Sequence, residues 1–446
     1  MSLYSLVRDF RFRDAPSHTR ELLQTCLLDI LGVAAGARDN HTSQVLKQYA
    51  LNHYPAGTLS SRLLFDGRPL HPLGAAWAGA FSVDSLDAHE GHFTSKGHAG
   101  ATVVPALLAL VDACREQGRN ISGEEFLSAL CIGYETALRA GAALMATAPE
   151  YHASGSFSGV GVVCGGARLL RMSEEQFRHA LGIAEYFGPR CPMMRLVDHP
   201  SMLRDAHGAG AYAGLNALLL AEAGVTGAPA ETVEHAAVAA HWRDLGERWE
   251  IDAQYFKPWP VCRWAQPALT AMTALMAEHP QIRGDNIEQI QVQTFHESMR
   301  LQGHTPANAD EAQYALAFPL AALVVRGQVG PLEVTGEAIH DADILAVSQR
   351  IEIIESDELS ARFPREILSR VLVQLKDGQS FSSPITAAKG DPETAMSQAE
   401  FREKFDLLAA ISLDERQRRD IEQEIAALPG NPSCEKLLAL LFEPAA

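Results

Sequence analysis

Between about residue 17 and residue 230, apolar side chains recur at helical spacing in Ala/Leu/Gly-rich segments parted by short Gly, Pro, Asp and Asn breaks. Thr19 to Ala35 shows the pattern: Leu22, Leu23, Cys26, Leu27, Ile30, Leu31 and Ala34 share one broad face, and Gly36 follows as a stop signal. A further helix is predicted from Gly123, behind a Ser122 cap and the acidic pair Glu124 and Glu125, to about Ala143. Closely spaced small residues (Gly159, Gly161, Gly165, Gly166 and Gly208, Gly210, Gly214) read as surfaces for close helix packing. Neither a phosphate-binding loop nor a dinucleotide-binding fingerprint is present.

The texture changes after Lys257-Pro258-Trp259-Pro260. Ile287 to Thr294 alternates apolar and polar, Arg350 to Ser356 is β-branched, and Val371 to Leu375 followed by Asp377-Gly378 and Phe381 reads as a hairpin. Strands are expected only in this portion, with helices between them at Ala265 to Ala277 and Ala312 to Val325. From Ser397 onward the pattern is helical again and is expected to pack back on the first part. The predicted fold class is mainly α: a discontinuous helical domain, 1–257 plus 396–446, with a smaller inserted α+β domain, 258–395.

Composition narrows the field of functions. With 446 residues, 47% hydrophobic and 21% charged, the chain is long enough for two globular domains. A formal net charge of −18 repels nucleic acid and anionic membranes at long range, so neither is expected as a partner. Seven scattered cysteines, with no C-x-x-C spacing, argue for small core residues in a reducing compartment rather than disulfides or structural zinc. The first seventeen residues lack the apolar run of a secretory signal, no window offers about 18 uninterrupted apolar residues, and the expected location is cytoplasmic.

One stretch concentrates chemistry. Asp84 to Gly100 (DSLDAHEGHFTSKGHAG) packs two aspartates, three histidines and a lysine into seventeen residues of an otherwise anionic chain. His89 and His92 are spaced H-x-x-H, which without a partnered H-E-x-x-H motif is a weak metal signal, and no metal ligand set is predicted.

Several segments coincide in order with one known family: Leu28-Asp29-Ile30-Leu31-Gly32, Asp84-Ser85-Leu86-Asp87, Gly97-His98-Ala99-Gly100, Gly133-Tyr134-Glu135 with Arg139, and Tyr151-His152. Further on come Gly224-Val225-Thr226-Gly227-Ala228-Pro229, Phe256-Lys257-Pro258-Trp259-Pro260, Phe363-Pro364, Asp377-Gly378, Lys389-Gly390-Asp391-Pro392 and Lys404-Phe405. From about residue 17 to 440 the chain resembles the MmgE/PrpD family. The resemblance implies a large helical domain, a smaller α+β lid, a homodimer, an active site in the cleft between domains, and no metal or organic cofactor. Members such as 2-methylcitrate dehydratase, cis-aconitate decarboxylase and iminodisuccinate epimerase act at a carbon beside a carboxylate.

Such chemistry needs a general base, fixed cations, and an acid for any leaving group. By the resemblance, His98 is assigned to substrate binding or acid–base work and His152 is the second histidine of the cleft. Asp84 orients a histidine or takes a proton, and Asp87 supports it. Lys257, which opens the domain junction just before Pro258 and Pro260, is expected as a carboxylate clamp or a base of lowered pKa. Arg204, in Ser201-Met202-Leu203-Arg204, falls near a family lysine and would grip a carboxylate bidentately, with Ser201 beside it; Lys96 and Arg263 are further substrate-binding candidates. Two departures from the family pattern each remove a hydroxyl: Ala88 stands where threonine is frequent and Phe318 where tyrosine is expected. The segment between Asp87 and His98 is also about four residues longer than in those relatives. The first expectation is a hydro-lyase of the 2-methylcitrate dehydratase kind, using a protonated histidine as the acid. Alternatives are an epimerase of an iminodisuccinate-like amino dicarboxylate, a cis-aconitate decarboxylase, and, from another class, a non-catalytic carboxylate-binding protein.

Overall fold

The computed structural model describes residues 2–442. Its first half is a helical array in which Gly123–Thr147 packs on Gly155–Leu170, and His207–Glu222 packs on Gly155–Leu170 and on Pro72–Asp84. The glycines allow this close approach. A methyl at Gly214 would lie 2.6 Å from the Gly159 carbonyl and 2.6 Å from Val162 Cβ, so the two backbones nearly touch. The first predicted helix spans Ser17–Ala37, and Gly36 lies within it, where the expected stop fails: the glycine serves packing, with the Leu408 backbone against it. Ser122 caps the Gly123–Thr147 helix through the Glu125 N–H, as expected, although the helix runs one turn past Ala143.

The first portion is not free of strand. Ser61–Arg62 pairs with Pro69–Leu70, and Gly91–His92 pairs with Gln254–Tyr255, both antiparallel. Two-residue ribbons are too short to show alternation, so no periodic signal announces them.

The second portion carries a five-stranded sheet. Ile287–Thr294 lies between Ile351–Glu355, parallel to it, and Leu368–Leu375, antiparallel to it. Ser380–Ser382 continues the sheet beyond Leu368–Leu375 through the expected Asp377-Gly378 turn, with Gly378 at φ +90°, and Thr386–Ala387 pairs with the start of Leu368–Leu375. Gln266–Glu278 packs on the sheet and Ala317–Arg326 packs on that helix. The helix predicted over Ala312 to Val325 is interrupted: Ala309–Gln313 and Ala317–Arg326 are separate, with Tyr314 between them. The molecule is thus mainly helical with a smaller mixed α/β portion.

The last helices, Gln398–Ala409, Glu415–Ala427 and Glu435–Phe442, return to the first portion. Gln398–Ala409 lies along Ser17–Ala37, where Phe405 fills the space beside Gly32 and Lys404 forms a buried ion pair with Asp29. Among the described residues no helix is long and apolar enough to cross a membrane.

Candidate active site

A cavity of about 950 Å³ opens between the two portions. The first portion contributes Asp87, His92, Lys96, His98, Tyr151 and Asp205 to its walls; the stretch that follows contributes Tyr255, Lys257, Cys262, Arg263 and Tyr314. The loop from Asp87 to His98 is tied down at both ends. The Asp87 N–H donates to Gln313 Oε1 at 2.8 Å, and Gly91–His92 pairs with Gln254–Tyr255, which leads straight into Lys257. A small ribbon therefore brings the two sequence-distant halves of the site into one register.

Lys257 is 1% exposed and donates to the Asp87 carboxylate and, at 3.2 Å, to the Asp87 carbonyl. An ammonium has three N–H donors, so one remains for a ligand. Burial pushes the Asp87 carboxyl up, but Lys257, His98 and Arg204 outweigh it and hold it below the usual range. His98 Nδ1 lies 2.6 Å from the Glu90 carbonyl, which can only accept; Nδ1 therefore carries the proton and Nε2 the lone pair. That Nε2 sits 3.9 Å from Asp205 Oδ2. Burial, and then the charge of Lys257, lower His98 to about 3, so the ring is neutral near pH 7. Burial and the neighbouring Asp87 raise Asp205 to about 6.

Backbone strain gathers here. Among the described residues five non-glycine residues have positive φ, and three of them lie at or beside the cavity: Lys96 at +48°, in its wall, and Arg204 at +40° and Ala206 at +57°, on either side of Asp205. The Asp205 carboxylate and carbonyl are both held, by the N–H groups of Ser154 and Gly155. Strained residues persist where surrounding contacts overdetermine them, as binding sites require.

Arg263 stacks over the Tyr255 ring at 4.4 Å and pairs with Asp391, while its buried Nε and Nη1 make no hydrogen bond within the protein. Lys96 lies exposed at the rim, with its ammonium 5.5 Å from the Tyr151 ring centre and its carbonyl accepting from Tyr151 Oη.

Other expected residues lie elsewhere. His152 lines a neighbouring cavity of about 530 Å³ with Glu185, Arg190 and His235, because its bridge to Pro192 turns it away while Tyr151 points into the main cavity. Arg204 is buried behind the wall and already committed, donating to Asp310 at 2.8 Å and Gln313 at 2.9 Å; it shapes the pocket rather than lining it. Ser201 is exposed; its hydroxyl accepts a 3.4 Å bond from the Leu203 N–H and its carbonyl one of 3.2 Å from the Arg204 N–H. Asp84 also sits behind the wall, beside His89 and His207, with its carboxyl accepting from the His207 N–H at 3.3 Å. His92 pairs with Glu250 at 3.3 Å, so the H-x-x-H spacing does not converge.

Sequence reasoning missed Asp205, Tyr255 and Tyr314. Asp205 directly follows Arg204, and only the left-handed turns on either side aim it inward. Tyr314 stands four residues before Phe318; the phenylalanine is fully buried away from the cavity, and the tyrosine puts a ring and hydroxyl into the wall instead.

Comparison with known proteins identifies the family. Residues 2–250 match the MmgE/PrpD N-terminal domain and residues 259–428 the MmgE/PrpD C-terminal domain, so the two matches meet where the cavity opens. Along its length the chain is 22% identical to a cis-aconitate decarboxylase from Aspergillus terreus, covering 97% of this chain and 93% of that protein. It is 23% identical to a cis-aconitate decarboxylase-like protein from Aspergillus oryzae, covering 98% and 96%. With more than half its residues in the first match and most of the remainder in the second, this chain belongs to the MmgE/PrpD family.

Proposed function

We propose that the protein is a lyase acting beside a carboxylate of a small polycarboxylic acid, as a hydro-lyase on a citrate-like hydroxy tricarboxylate. The observation that carries this reading is the meeting, in one cavity, of a neutral imidazole, a carboxyl of raised pKa and two cations with donors to spare. Lys257 and Arg263 bind substrate carboxylates, and Arg263 has the flat fork that suits them. His98 Nε2 takes the proton from the carbon next to a carboxylate. The C–H electrons form the new C=C bond as the C–O bond breaks, and Asp205 gives its proton to the departing hydroxide, which leaves as water.

Two physical points favour these roles. The charge of Lys257 is one cause of the low basicity of His98, so a substrate carboxylate on Lys257 raises it and readies the base only in the complex. The same low basicity argues against the protonated histidine expected as the acid, and Asp205 fills that role. Decarboxylation of cis-aconitate is the second reading, favoured by the names of the two relatives. Epimerisation is less well served, because His98 and Asp205 approach from one side, 3.9 Å apart, whereas inversion needs groups on opposite faces.

The test incubates the purified protein with citrate, 2-methylcitrate and cis-aconitate in D2O. Hydro-lyase action appears as growing ultraviolet absorbance from a conjugated alkene, decarboxylation as released CO2, and epimerisation as deuterium entering 2-methylcitrate at its methyl-bearing carbon without net conversion. Binding of all three acids with none of these signals would reduce the protein to a carboxylate binder.

A further inference from the structure

Two segments noted in the sequence, Leu28-Asp29-Ile30-Leu31-Gly32 and Lys404-Phe405, contribute nothing to the cavity walls, yet they meet directly behind the active-site loop. Asp29, on the Ser17–Ala37 helix, and Lys404, on the Gln398–Ala409 helix, are 6% and 4% exposed and form an ion pair. Each also reaches the loop. Lys404 Nζ donates to the Ala88 carbonyl at 2.7 Å, and Asp29 Oδ2 accepts from the Glu90 N–H at 3.0 Å. The pair therefore grips the main chain on both sides of His89.

What the grip fixes is the hydrogen-bond acceptor of His98. The Glu90 N–H held by Asp29 and the Glu90 carbonyl that accepts from His98 Nδ1 at 2.6 Å belong to one residue. Little slack separates the loop from the ring: a methyl at Gly91 would lie 2.7 Å from His98 Nδ1. The Glu90 side chain ties the far side, with Oε1 accepting from the Gly100 N–H at 2.8 Å, two residues beyond His98. A neutral imidazole has two tautomers, and only the one protonated at Nδ1 offers a lone pair at Nε2. Moving the Glu90 carbonyl would release that choice.

A charged pair suits the task better than two neutral side chains. Buried backbone groups need partners, and charge-assisted bonds are the stronger ones. Here each member bonds its counter-ion as well as the loop, so neither can turn away without stranding a buried charge.

We propose that Asp29 and Lys404 are positioning residues that set the tautomer and the orientation of His98 through the main chain from Ala88 to Glu90. The inference rests on the reading of His98 as the base and deepens it: the last helical segment of the chain completes the site without touching substrate.

The experiment labels the histidine rings of the full-length protein with nitrogen-15 and reads the His98 tautomer by proton–nitrogen NMR, the His98 signals being those that vanish in His98→Gln. The unmutated protein is expected to show a neutral ring protonated at Nδ1; protonation at Nε2 would overturn the proposal before any further variant is made. An Asp29→Asn, Lys404→Met double variant removes both charges together and leaves neither stranded. It is expected to show mixed tautomers and a kcat lower by about 10²-fold, the effect of about 1 Å of misplacement. KM should change little, because Lys257 and Arg263 keep Asp87 and Asp391 as partners. An Arg62→Met, Asp112→Asn double variant makes the same kind of change at a buried pair outside the cavity and keeps both the tautomer and kcat. An unaltered His98 tautomer in the first double variant, or an equal loss of kcat in the second, would overturn the proposal. The tautomer readout needs no substrate, whereas turnover by His98→Gln would remove His98 as the base and this inference with it, so the two failures give different results.

Discussion

Lys257 sits where water cannot compensate its charge, and Asp87 is the partner that makes its burial tolerable. Removing the lysine alone therefore does two things: it deletes a substrate cation and strands a buried carboxylate. Lys257→Ala is expected to lower turnover by about 10²-fold or more, the range for losing one acid–base or charge-stabilising group. It should also destabilise the fold by about 3–5 kcal/mol, the cost of breaking a buried pair. A Lys257→Met, Asp87→Asn double variant separates the two: urea melts should recover most of the stability while kcat stays low. Recovery of both would make the pair purely structural. At this scale Asp87 and His98 stood out by local density and, with Lys257, by the family resemblance, and all three line one cavity. His152, Arg204 and Ser201 were named from the resemblance and lie outside it, because a residue's neighbours in sequence do not say which way a left-handed turn or a single bridge will aim it.

Helices met the expectation more closely than strands did. Apolar spacing over several turns integrates many residues, so Ser17–Ala37 and Gly123–Thr147 were both found within a few residues of their ends. The two-residue ribbons, one of which registers the active-site loop, carry no such signal. The small-residue surfaces, by contrast, were readable as packing devices, and this has a measurable consequence. Gly214→Ala places a methyl 2.6 Å from the Gly159 carbonyl, closer than real side chains come to a backbone oxygen. The helices Gly155–Leu170 and His207–Glu222 must then separate, at a cost of about 1–3 kcal/mol for overpacking. Because His207–Glu222 begins two residues after Asp205, turnover should fall with stability in denaturant titrations and steady-state assays. A stability unchanged from the parent would show that the interface yields freely.

Across the whole molecule, burying carboxyls in an acidic protein sets its response to pH. Burial and the neighbouring Asp29 raise Glu90 to about 7, and burial likewise raises Glu135 to about 7 and Asp205 to about 6. A carboxyl whose folded pKa exceeds its unfolded one contributes stability that is complete below the unfolded pKa and is lost as pH rises through the folded value. For Glu90 that window runs from 4.5 to about 7, and the contribution at stake is on the order of 3 kcal/mol. Thermal or urea melts should therefore show stability declining across this interval, and Glu90→Gln, which keeps an oxygen for the Gly100 N–H, should flatten the decline. An unchanged slope in that variant would assign the pH dependence to Glu135 and Asp205 instead.

By itself the sequence determined the long helices, the sheet-bearing second portion and the mainly helical class, because these follow from periodicity and residue type, which are local or additive properties of a chain; the type of chemistry it implied only through the family resemblance. Tertiary structure alone decided which titratable groups share a cavity, that Asp205 and Tyr314 belong to its wall, and that Asp84, His89 and His207 meet behind it. Those outcomes depend on a two-residue ribbon, two left-handed residues and the close contact of glycine-lined helices, each a matter of long-range geometry in which ångström displacements redirect a side chain.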